Sequence, residues 1–332
     1  MVTSVLQNEI IPIFIFSLPR SGSTLCMRIM GMHKEIATVY EPFILLPLLY
    51  ALKDKGVYSE YNHEHAAWAI QDFCRHFPGG VDDYYEEIRR LVLNCYRKVS
   101  GSGDIKYFLD KTPNYTWIVE DIIKIFPDAK FIFLWRNPLS VIASILKSWN
   151  DGYWNLYLHN SYLFEGLVNL VAAYQKYADV SVSVRYEDMV GNPRTEWERI
   201  FSYLGITFNI DQLVTFVDFK SNARLASESD WYKYNEISQE PLAKWKKVLS
   251  NPFRKAWCKR YIRWVGENRL ALMGYKLGEL LYELDHLSTD LSYLGSDAWR
   301  VPYGLLYRIM EGRIIKNKIL DLVSGRRTYV HT

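Results

Sequence analysis

A chain of 332 residues, 49% hydrophobic and 23% charged, has room for one large α/β domain and is too apolar to be a disordered tail. A net charge of +3 makes no demand for nucleic acid or another polyanion as partner. No run reaches the ~18 uninterrupted apolar residues of a membrane span. Cys26, Cys74, Cys95 and Cys258 lack disulfide or metal spacing, and no basic leader precedes Leu6, a pattern that fits a reduced, cytoplasmic chain.

The first apolar run predicts a strand over 12–17. Ser17-Leu18-Pro19-Arg20-Ser21-Gly22-Ser23-Thr24 follows, then a helix over 24–32. Strand, tight loop and helix start make an anion cradle, because the first N–H groups of a helix have no partner within it. Ser21, Ser23 and Thr24 add hydroxyls, Gly22 lets backbone approach a ligand, and Arg20 is a permanent cation. Aligned on the nucleotide-kinase loop, the chain has Ser17 for the first glycine and Ser23 for the lysine. A P-loop kinase-like phosphotransferase is therefore the weaker alternative.

Helices are expected near 63–75 and 82–98, a turn at 101–104, a strand over 105–109 and a helix over 116–126. Lys130–Trp135 reads as a strand ending at Arg136. Asn137 is an N-cap and Pro138 a first helical residue for a helix over 138–149 that carries Ser144. Arg136 thus stands at a strand's C-terminal end, where parallel sheets bind ligands. A helix over 160–178, a strand over 181–185 and a helix over 193–204 follow, the last capped by Gly205. Further helical segments fall near 209–217, 240–249, 253–264 and 266–273. Alternating strands and helices give an α/β fold, a P-loop-like parallel sheet flanked by helices on both faces, with helical insertions.

Four phrases in this order resemble the sulfotransferases that use 3′-phosphoadenosine 5′-phosphosulfate (PAPS). They are Pro19–Thr24, Arg136 with Ser144 eight residues later, Arg185-Tyr186-Glu187-Asp188-Met189, and Lys244-Trp245. The resemblance spans residues 12–265. It implies that Arg20, Ser21, Gly22, Ser23 and Thr24 hold the 5′-phosphosulfate, that Arg136 and Ser144 grip the 3′-phosphate, that Arg185 and Tyr186 sit near the nucleotide, and that Lys244 lies over it. No metal is implied. Asp110-Lys111-Thr112-Pro113 is similar to a phrase of the carbohydrate- and tyrosyl-type branches, with Pro113 where the cytosolic branch has a basic His. Glu41, in Tyr40-Glu41-Pro42, lies twenty-one residues after Arg20, as does the catalytic Glu of the tyrosyl branch. Glu41 is thus the expected base and Arg20 and Lys111 the expected cations; an ion pair of Glu41 with Arg20 is the other reading. His33 is read as structural, and His63 and His65 as a solvated helix start.

The expected domain runs over 1–282, with 42–105 as a helical cap over the acceptor. Residues 283–332 form a C-terminal helical extension that packs back, dimerises or meets an acidic partner. The expected acceptor is a hydroxyl of a small molecule, natural product or carbohydrate. A protein tyrosine or carrier-bound acceptor is the alternative, and a nucleotide-binding module without catalysis is the third class. No nucleic acid and no membrane span are expected, and a homo-oligomer is compatible with the sequence.

Overall fold

A computed structural model describes residues 10–101, 103–219 and 236–309, and the single residues 315, 316, 319 and 323. Five strands form one wholly parallel sheet: β1 (Ile11–Phe16), β2 (Ile36–Thr38), β3 (Tyr107–Asp110), β4 (Lys130–Trp135) and β5 (Ser181–Arg185). Their order is β2-β3-β1-β4-β5, so β1 is central and the chain departs from it in both directions.

The strands alternate cleanly between two buried faces, as a parallel sheet covered on both sides requires. Phe14, Phe16, Phe131, Phe133 and Trp135 face one core, with Phe108 of β3. Ile13, Ile15, Ile132, Leu134, Val182 and Val184 face the other. The aromatic face is covered by α4 (Val81–Ser100), α5 (Val119–Ile125), α6 (Pro138–Trp149) and α7 (Leu167–Tyr177). The aliphatic face is covered by α1 (Ser23–Gly31) and α9 (Pro193–Leu204).

Two helices, α2 (Leu45–Tyr50) and α3 (His63–Cys74), precede α4 in the connection from β2 to β3. Tyr96 of α4 stacks on Phe108 with ring centroids 4.0 Å apart, so the end of that connection is sheet cover. The short helices α8 (Tyr186–Gly191) and α10 (Gln212–Thr215) flank α9. Towards the C-terminus come α11 (Glu240–Val248), α12 (Pro252–Leu272), α13 (Leu277–Asp285) and α14 (Leu294–Ile309). The expected break between 264 and 266 is a kink at Gly266, whose φ of 80° a helix cannot hold.

α14 is fastened by a buried ion pair. Arg254 of α12 donates to both carboxylate oxygens of Asp297, at 2.7 and 3.2 Å, and also to the carbonyl of Gly152 at 2.8 Å. Asn251 joins Asp297 at 3.2 Å, so the charges meet full hydrogen-bonding company. Of the expected C-terminal extension, residues 310–314, 317, 318, 320–322 and 324–332 lie outside the described residues.

Candidate active site

Every strand delivers a polar or charged residue at its C-terminal edge. Taken along the sheet, these are Glu41 after β2, Lys111 after β3, the Ser17–Gly22 loop after β1, Arg136 after β4 and Arg185 ending β5. This edge is where a doubly wound sheet opens a crevice.

The loop after β1 is shaped by two residues with positive φ, Arg20 at 67° and Gly22 at 94°. Gly22 is irreplaceable on a second ground: a Cβ there would stand 2.2 Å from Cδ2 of Tyr186. α1 begins at Ser23 with no side-chain cap among the described residues, which leaves its first N–H groups aimed outward.

Arg20, Gly22, Ser23 and Thr24 line a cavity of about 150 Å³ together with Arg136, Ser144, Tyr186 and Lys244. The geometry inside it is specific. Arg20 donates from Nε to Ser144 Oγ at 3.3 Å and from Nη2 to Ser148 Oγ at 3.1 Å. Arg136 donates from Nη1 to the Arg20 carbonyl at 2.8 Å and lies 4.4 Å over the Tyr186 ring. Its Nε is buried without a hydrogen-bond partner among the described residues. The helix behind them starts as expected, with Asn137 Oδ1 accepting from the Leu139 N–H at 2.9 Å. Glu187 accepts from the Asn137 N–H at 2.9 Å and from Tyr275 at 2.6 Å, which fixes β4 to α8. Lys244 pairs with Glu240 at 2.9 Å, while Trp245 is buried and lines the cavity beside it.

Arg185 turns elsewhere. It donates to the Gly274 carbonyl at 2.9 Å and lies over the Tyr275 ring. Ser21 is buried and stands outside the cavity lining.

Glu41 and Lys111 form a second group, also outside that lining. Lys111, only 1% exposed, donates to Glu41 at 2.6 Å and lies 4.5 Å from the centre of the Tyr40 ring. Glu41 has a φ of 38°. The partner of Glu41 is thus Lys111 rather than Arg20, because β2 pairs directly with β3 while Arg20 is drawn towards α6. Behind Lys111 the carboxylate of Asp110 is fully buried. It accepts from Tyr96 at 2.6 Å, Tyr115 at 2.9 Å and Thr112 at 3.0 Å. Burial still pushes its pKa up, to about 6.

A larger cleft, about 1410 Å³, opens beside the cavity. Trp117, Trp149, Tyr157, Tyr162, Phe164 and Trp264 supply its rings. Trp149 links the two spaces, since the Arg20 guanidinium lies 5.8 Å from its ring. Tyr162 begins a π-helical turn, Tyr162–Gly166, that directs Phe164 and Glu165 to the cleft.

Three features of the site lay beyond the sequence reading. Ser148 and Trp149 sit one turn past Ser144, so helical spacing alone could have found them. The Asp110 network had no such signal. His63, expected to be solvated, is instead buried, with Nε2 2.8 Å from the Lys53 carbonyl. His65 is exposed, and His33 is buried against the Thr207 carbonyl at 3.1 Å.

A model of the sulfotransferase family matches residues 12–209. Nodulation protein NoeE of Sinorhizobium fredii is 28% identical over 139 residues, which is 41% of this chain and 31% of that protein. An uncharacterized protein of Aquifex aeolicus is 31% identical over 136 residues, 40% of this chain and 16% of its own length. The chain therefore spans less than a third of the curated relatives it matches. Among solved structures, the sulfotransferase domain from the curacin biosynthetic pathway is 18% identical with a TM-score of 0.55. The match covers 81% of this chain and 99% of that one, a likeness of fold.

Proposed function

Because the chain belongs to the sulfotransferase family, we propose that it transfers a sulfuryl group from PAPS to a hydroxyl of a small-molecule acceptor. The observation that carries this reading is the meeting of Arg20 from the β1 edge and Arg136 from the β4 edge on one cavity, with Ser144 beside them. Two guanidiniums, several hydroxyls and a helix start suit a doubly phosphorylated ligand. The orphaned Nε of Arg136 is a donor left over for an anion, so the residues present fit the nucleotide.

In this reading the loop residues Arg20, Gly22, Ser23 and Thr24 hold the 5′ side. Arg136 and Ser144 hold the 3′-phosphate, and Tyr186 and Lys244 lie along the nucleotide. Bound PAPS supplies a sulfuryl group already attached to a good leaving group, 3′-phosphoadenosine 5′-phosphate. Glu41 accepts the proton of the acceptor hydroxyl as the new oxygen–sulfur bond forms and the bond to the 5′-phosphate breaks. Lys111 fixes the Glu41 carboxylate and, with Arg20, offers positive charge to the transferring group. The aromatic cleft beside Arg20 receives the acceptor, a natural product or carbohydrate, its rings providing flat apolar surface and its amides hydrogen bonds.

Calorimetry with 3′-phosphoadenosine 5′-phosphate tests the donor site. The wild type is expected to bind it, and Arg136→Ala to weaken binding roughly 10- to 100-fold, the range for losing charge-assisted hydrogen bonds. Absence of binding, or magnesium-dependent turnover of ATP in its place, would reject the reading.

A further inference from the structure

Glu41 stands on a strained loop. Its φ is 38° and that of Phe43 is 55°, with Pro42 between them. Neither side chain holds a left-handed backbone at ease, so the surroundings must impose it, and such strain gathers at functional positions. Two fastenings flank the loop. Before it, the Thr38 hydroxyl donates to the Leu109 carbonyl at 2.7 Å and β2 pairs with β3. After it, α2 begins at Leu45 with no cap from the Ile44 side chain. The buried Leu45 N–H is one of the helix-start donors that lack a partner within the helix, and it donates to the Tyr115 hydroxyl at 3.4 Å.

Tyr115 can accept there because its own hydrogen is engaged elsewhere. An ionised carboxylate only accepts, and one oxygen of Asp110 takes the Tyr115 hydroxyl at 2.9 Å and the Tyr96 hydroxyl at 2.6 Å. That fixes the direction of the Tyr115 O–H and turns its lone pairs to Leu45. The other oxygen of Asp110 accepts at 3.0 Å from Thr112, the residue next to Lys111. One buried carboxylate thus holds the backbone beside the lysine and, through Tyr115, the far end of the Glu41 loop. The two sides meet in the 2.6 Å ion pair of Lys111 with Glu41. Stability alone does not account for a carboxylate here, since burial disfavours its charged form. We propose that the Tyr115 hydroxyl, aimed by Asp110, is a positioning group that holds Glu41 in place to accept the proton of the attacking hydroxyl. This rests on the reading of Glu41 as the base.

The full chain is tested with PAPS as donor and water as the acceptor, turnover being read as release of 3′-phosphoadenosine 5′-phosphate. Tyr115→Phe deletes one oxygen and keeps the buried ring that packs edge-on against Phe14. It is expected to slow release roughly 10- to 100-fold, the scale of a misplaced catalytic group, while the Kd for 3′-phosphoadenosine 5′-phosphate moves by less than about twofold. In a Glu41→Gln background the same substitution should slow release by less than about twofold, because no base is left to misplace. Asp110→Asn keeps a weaker acceptor, and its rate should fall between those of the wild type and Tyr115→Phe. Hydrogen exchange needs no turnover: the Leu45 amide should exchange at least about fivefold faster in Tyr115→Phe, for loss of one hydrogen bond. Unchanged release by Tyr115→Phe overturns the proposal, as does unchanged exchange at Leu45. An equal slowing in both backgrounds also overturns it, because a merely structural role would act without Glu41. The underlying reading fails by a separate sign, a Glu41→Gln variant that releases product as fast as the wild type, and that result takes this proposal with it.

Discussion

Gly22 meets two constraints at once, a left-handed backbone and the Tyr186 ring. Gly22→Ala is therefore expected to cost at least about 1 kcal/mol of stability, read as a lowered denaturation midpoint, and to weaken nucleotide binding. Glu41→Gln keeps the shape of the carboxylate and removes its basicity. Its turnover should fall roughly 10²- to 10⁴-fold while the affinity for 3′-phosphoadenosine 5′-phosphate stays put. Unchanged turnover would move the role of base to another residue. Asp110 gives a pH signature. Burial raises its pKa from 3.8 to about 6 despite three hydroxyl donors, so the folded protein holds that proton more tightly than the unfolded chain. Its stabilising contribution is present below the unfolded value and is lost as pH rises to about 6, by up to about 3 kcal/mol. Urea unfolding of the wild type and Asp110→Asn isolates it: the wild type's relative stability should fall between pH 4 and 7. A difference that stays flat would contradict the assignment.

At the scale of elements, β4, β5, α6 and α9 were legible because their apolar periods are long and their ends carry explicit signals, Asn137-Pro138 and Gly205 among them. β2 was not. Three residues are too short to display a period of two, and Ile36–Thr38 becomes a strand only through pairing with β3 and the Thr38 hydroxyl donated to the Leu109 carbonyl at 2.7 Å. The same gap hid the Glu41–Lys111 pair, which exists because β2 and β3 are neighbours. Arg20, Arg136 and Ser144 were readable from motif and spacing; their mutual contacts required the strand order. α14 depends on Arg254–Asp297, so Asp297→Ala should cost about 3–5 kcal/mol by stranding a buried guanidinium. Joint replacement by Arg254→Met and Asp297→Leu should cost much less in the same unfolding assay.

For the whole molecule, folding buries three of the four thiols where reagents do not reach. Cys26 lies against the aliphatic face with its pKa pushed up to about 12 by burial, and Cys74 and Cys258 are buried and raised as well. Cys95 is half-buried. A thiol-reactive chromophore should modify Cys95 in the native protein and the other three only with denaturant. Arg136 binds the two halves of the sheet in another way. Its hydrogen bond to the Arg20 carbonyl ties the end of β4 to the backbone of the β1 loop. Charge alone cannot reproduce that tether. Arg136→Lys keeps the cation and gives up the planar fork, so its nucleotide affinity should drop about tenfold even though electrostatic attraction is preserved.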